Sequence, residues 1–83
     1  MDDADISNAI LEAVRTRGAG KTICPSDVAR ALTTDWRPLM PDVRRVAQHL
    51  ADDGAIAITQ KGQPVHTDTA RGPIRLGLSS SSD

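Results

Sequence analysis

Three amphipathic segments, a short extended link and two strand-like runs predict a mostly α domain with a small β-hairpin, a winged helix-turn-helix of order α-β-α-α-β-β. Apolar residues recur at helical spacing in three stretches. Proline and glycine fall where helices begin and end. Two β-branched or alternating runs flank a loop rich in Gly, Pro, Thr and Asp. A lone hairpin is not stable in water, so it must pack on the helices and bury Ile56, Ile58, Ile74, Leu76 and Leu78.

The first helix is expected from a cap at Asp5 or Ser7 to about Arg17. Ile6, Ala9, Ile10, Ala13 and Val14 share one face, Leu11 sits beside it, and Gly18 stops the helix. Gly20 to Cys24 reads as an extended link. Pro25 suits the first position of a second helix, with Ser26 and Asp27 in its opening turn and Val28, Ala29 and Leu32 on its apolar face. Thr33 to Pro38 is the connection, with a break expected before Pro38 because the preceding residue is pushed out of the helical region.

Pro41 opens a third helix that ends near Asp53 and Gly54. Val43, Val46, Ala47 and Leu50 form a stripe of about 100°, and Arg45, Gln48 and Asp52 point away from it. Ala55 to Gln60 is a strand, 63–72 a loop, and Pro73 to Leu78 the returning strand. Residues 1–4 are expected to fray, 5–78 to form the domain, and 79–83 to be a disordered low-complexity tail. There is no internal repeat.

The bulk numbers narrow the function classes. With 83 residues, no Phe or Tyr and a single Trp, the core must be nearly all aliphatic and only modestly stabilising. Cys24 is alone, so no intrachain disulfide forms. The acidic start, Met1-Asp2-Asp3-Ala4-Asp5, is the opposite of a signal peptide's basic one. No apolar run approaches the ~20 residues of a membrane span. These features predict a cytoplasmic protein with no membrane partner. The net charge is −1, yet between Arg15 and Arg75 lie ten basic and six acidic residues, a local net of +4. That permits a basic face without the large excess of a dedicated nucleic-acid binder.

The third helix and the wing are the candidate site. In a helix-turn-helix the second helix reads base edges with the N-terminal part of its exposed face. Arg44, Arg45 and Gln48 hold those positions; arginine bonds guanine bidentately and glutamine bonds adenine. Arg37, just before the helix, is placed for a phosphate, and Lys61 and Arg71 of the wing for backbone or minor groove, as is Arg75 at its far end. The bland reading is a solvated helix face and an ordinary loop, with Arg71 anchoring the loop on carbonyls or Asp68. Asp42 sits in the same turn and would repel phosphate.

Other motifs carry less. Gly20-Lys21-Thr22 is no phosphate loop, because the motif's leading glycine would fall on Arg15 and a helix rather than a strand precedes it. Cys24 beside a helix start has the setting of a reactive thiol, against the commoner fate of a small buried hydrophobe. His49 and His66 lack the spacing of a metal pair, and no nucleophile has a base and an orienting acid nearby. No cofactor is expected. Trp36 reads as a core plug, with Leu39 and Met40 either completing it or forming a partner-binding patch.

The strings KTICPSDVARAL (21–32), WRPLMPDVRR (36–45) and ARGPIRL (70–76) resemble a small bacterial family of unknown function with a winged-helix fold. The resemblance runs from about Ile6 to Leu78. It implies the fold and no activity. Two functions are therefore expected. One is duplex DNA binding through the third helix and wing, in a regulatory or accessory role. The alternative is a protein-interaction module, a homodimer or a subunit of a larger complex. An enzyme is not expected.

Overall fold

The computed structural model describes residues 1–79; the tail expected at 79–83 lies outside them from residue 80 onward. Among the described residues are three α-helices and a small antiparallel four-stranded sheet. The order is α1 (Asp3–Arg17), β1 (Thr22–Ile23), α2 (Pro25–Leu32), a single 3-10 turn (Arg37–Leu39), α3 (Met40–Asp52), β2 (Ile56–Gln60), β3 (Gln63–Pro64) and β4 (Arg75–Leu78). None of these helices is long and apolar enough to cross a membrane.

α1 starts earlier than capping at Asp5 or Ser7 predicts. Asp2 is the cap, and its carboxylate accepts from the Asp5 N–H at 3.0 Å. Several nearby carboxylates compete for this role, and periodicity does not rank them. α1 ends at Gly18, whose N–H returns to the Val14 carbonyl. α2 starts at Pro25, where Cys24 is the cap residue and its N–H donates to the Asp27 carboxylate at 3.1 Å. The expected break lies earlier than the residue before Pro38: α2 ends at Leu32 and Thr33 is extended, but Trp36 is back in the right-handed helical region, and Arg37–Leu39 forms a tighter turn that runs into α3. Pro38 and Pro41 both fall in opening turns, where a missing N–H costs nothing.

The sheet is larger than one hairpin. Its strand order is β1-β4-β2-β3. β4 therefore pairs on both sides, with Ile23 opposite Leu76 and Thr22 opposite Gly77 on one, and Ile58 opposite Leu76 and Ile56 opposite Leu78 on the other. The segment expected as loop from residue 63 begins instead with β3. A two-residue turn, Lys61-Gly62, joins it to β2, and both turn residues have positive φ, 52° and 80°. That is the twist-matched turn of a tight hairpin. It is hard to foresee because the first of the two residues is lysine rather than Asn or Gly.

The core lies between the helices and one face of the sheet. Ile6, Ile10 and Val14 of α1, Val28 and Ala29 of α2, and Val43, Val46 and Ala47 of α3 meet Ile56, Ile58, Ile74 and Leu76. No polar or charged side chain is buried among the described residues. Leu78, expected inside, is half-buried at the sheet's end. Trp36, Leu39 and Met40 are half-buried against the rim of this core, so they neither plug its centre nor form a free apolar patch.

Gly77 marks the tightest approach. A Cβ there would meet the Lys21 carbonyl oxygen at 3.0 Å and the Thr22 methyl at 3.2 Å. Gly77→Ala should therefore lower the urea midpoint, with a loss of about 1–3 kcal/mol from overpacking. Circular dichroism on the purified variant checks this. An unchanged midpoint would mean that β1 does not press on β4.

Candidate functional site

α3 turns Val43, Val46 and Ala47 inward, which leaves two outward stripes set by the i, i+4 repeat. One carries Arg44, Gln48 and Asp52 and faces the turn at residues 66–68. The other carries Arg45 and His49 and faces the start of α1. An open groove runs along α3, lined by Arg44, Arg45, Gln48, His49 and Asp52 of the helix and by His66, Thr67 and Asp68 of the turn. Arg44 and Arg45 stand toward the helix's N-terminal end and Asp52 at its C-terminal end.

The six predicted residues have different fates. Arg45 is exposed, yet its guanidinium is engaged within the molecule. Its guanidinium makes two hydrogen bonds of 2.8 Å to the Asp3 carboxylate and a third of 3.3 Å to Asp42. These tie the start of α1 to α3. Gln48 is committed as well. Its carbonyl accepts from the Thr67 N–H at 2.9 Å and its amide donates to Asp52 at 2.8 Å. The side chain picked out as a base reader thus staples the turn to the helix.

Arg37 lies with its guanidinium 4.7 Å from the centre of the Trp36 ring. Arg44, Lys61 and Arg71 enter no ion pair among the described residues. Lys61 tops the β2–β3 hairpin. Arg71 lies beside that hairpin, since its carbonyl, with that of Pro73, accepts from the Gln60 amide. The loop is therefore anchored by Gln60, and the Arg71 side chain is left outward. Arg75 is tied down: its guanidinium donates to the Thr22 hydroxyl at 2.9 Å and the Thr22 carbonyl at 3.1 Å, bracing β1 on β4.

Two residues were missed in the sequence. Gln60 anchors the loop across a distance that no periodic rule spans. Arg30, at the end of α2, places its guanidinium 4.5 Å from the Trp36 ring centre. An arginine and a tryptophan on either side of a connection carry no signal until the connection is folded.

Hydrogen bonding from Arg45 is the chief cause that holds the Asp3 carboxyl below its ordinary value; desolvation opposes it, and the charges of Arg45 and His49 add to it. The bonds to Asp3 and then Asp42 hold the Arg45 proton still more firmly than usual. A depressed carboxyl contributes stability that is present above its unfolded value of about 4 and lost as pH falls through the folded one. Both partners are solvated, so the contribution is small. In a carboxyl-detected NMR titration, Asp3 should titrate lower in the parent protein than in Arg45→Ala. Identical titration in the two would mean that the pair does not persist in solution.

A family model described as "Protein of unknown function (DUF3253)" matches residues 3–79. No curated protein matches the chain.

Proposed function

Since the chain belongs to DUF3253, a family of unknown function, we propose its role from its own geometry: a cytoplasmic winged-helix module that binds duplex DNA through the N-terminal half of α3 and the β2–β3 hairpin. The role is regulatory or accessory, that of a binding module and not of an enzyme. α2, the turn and α3 supply the helix-turn-helix, and the hairpin supplies the wing.

The observation that carries this reading is which of the expected contacts stay unpaired. Among the described residues Arg45 is the one arginine or lysine in an ion pair, with Asp3 and Asp42, and of the other nine, Arg37, Arg44, Lys61 and Arg71 are those expected at the duplex. They belong to the beginning of α3 and to the hairpin region, the two places a winged helix offers to a duplex. The contact set becomes these four, with Arg45 and Gln48 as supports. Lys61 adds a second argument. Its φ of 52° is a conformation that suits Asn or Gly and costs other residues roughly 1 kcal/mol. A charged side chain kept in a strained position is consistent with use there.

The test is fluorescence anisotropy of a labelled, mixed-sequence duplex at several salt concentrations. Affinity should fall steeply with salt, with a slope that fits roughly 3–5 phosphate contacts. Arg44→Ala should weaken binding, and Arg45→Ala should do so much less. Lys61→Asn should raise stability by up to about 1 kcal/mol while lowering affinity and reducing the salt slope by about 1. No binding at low salt would overturn the reading.

A second reading rests on a different surface. A shallow groove between α1, β1 and α2 is floored by Ala9, Ala13, Ile23 and Leu32 and rimmed by Arg17 and Lys21. It suits a homodimer or another protein partner. Light scattering at high concentration tests the dimer: a monomer throughout would count against it.

A further inference from the structure

We propose that Arg30, Trp36 and Arg37 form a phosphate clamp for the nucleic-acid backbone, placed on the α2–α3 connection. The inference rests on the DNA-binding reading and extends it from Arg37, already one of its contacts, to Arg30 and Trp36.

The geometry is unusual for two like charges. Both guanidiniums lie close to one indole, 4.5 Å and 4.7 Å from its ring centre. Arg30 comes from the last turn of α2 and Arg37 from the 3-10 turn, so the connection folds back to bring them together. Neither arginine has an acid for a partner: the ion pairs of the described residues join Asp3, Asp42 and Asp68 to other residues. Asp27, one turn before Arg30, is occupied by the Cys24 N–H. Asp35, next to Trp36 in the chain, bonds neither arginine.

Trp36 does for the pair what a protein acid would otherwise do. The negative face of the indole attracts a guanidinium, and stacking holds its plane while leaving its edge N–H groups available. Those groups match the oxygens of a phosphate in bidentate fashion. Arg30 and Arg37 are exposed and Trp36 is half-buried against the core, so the platform is fixed and its cargo is open to solvent. A phosphodiester held by the two arginines would supply the anion that neither finds in the protein. Such a contact positions a duplex and selects no sequence.

The chain's one tryptophan is its own reporter. Duplex binding is followed at once by anisotropy of the labelled DNA and by Trp36 emission, in the parent protein, Arg30→Ala, Arg37→Ala and Arg30→Lys. The clamp predicts that emission changes in step with anisotropy. Each alanine variant should lower affinity for every duplex sequence alike and reduce the salt slope by about 1. Arg30→Lys should retain the slope and lose part of the affinity, because lysine is a point charge without the fork. A purely structural role would lower the melting temperature of Arg30→Ala without changing its affinity or slope, and that result would overturn the clamp. Duplex binding with silent Trp36 emission would also overturn the clamp and leave the DNA-binding reading standing. Absence of duplex binding in the parent protein would sink both.

Discussion

Gly77 lies where β1 meets β4, with the Lys21 carbonyl and the Thr22 methyl against the space a side chain would need. This close approach lets β4 enter between β1 and β2, and the rest of the domain depends on that insertion. β1 follows α1 and β2 follows α3, so β4 joins the two ends of the helical layer with one set of backbone hydrogen bonds. It also delivers Leu76, with Ile74 just before it, into the interior, where both are fully buried. Each buried aliphatic chain of that size is worth about 1.5–3 kcal/mol. The chain has no Phe or Tyr, and its single Trp is only half-buried at the rim, so no larger side chain fills the interior in their place.

The polar residues at the edge of this core follow from the same constraint. A small aliphatic core holds α1, α3 and the 66–70 turn less firmly than an aromatic one would. Three surface side chains supply additional ties. Arg45 bridges to Asp3, Gln48 joins α3 to the turn, and Gln60 gathers the carbonyls of Arg71 and Pro73. Of these, Arg45 and Gln48 look like binding groups in one dimension. Of the six expected contacts, Arg37, Arg44, Lys61 and Arg71 enter no ion pair among the described residues, and Arg30 joins them through Trp36.

Three helices, their inward faces and three of the four strands are legible in the residues alone. Those depend on period and on local stops: Val43, Val46 and Ala47 recur at helical spacing, Gly18 ends α1, and Pro25 opens α2. Both kinds of signal act within one or two turns of chain, so they survive without knowledge of the fold. The third pairing of the sheet, the β3 strand, the pinning of Arg45 by a residue near the N-terminus and the meeting of Arg30 with Trp36 came from the folded structure alone. Each depends on where a connection returns in space. Hydrogen-bond partners 42 residues apart, as Arg45 and Asp3 are, are chosen by geometry that no periodic pattern contains.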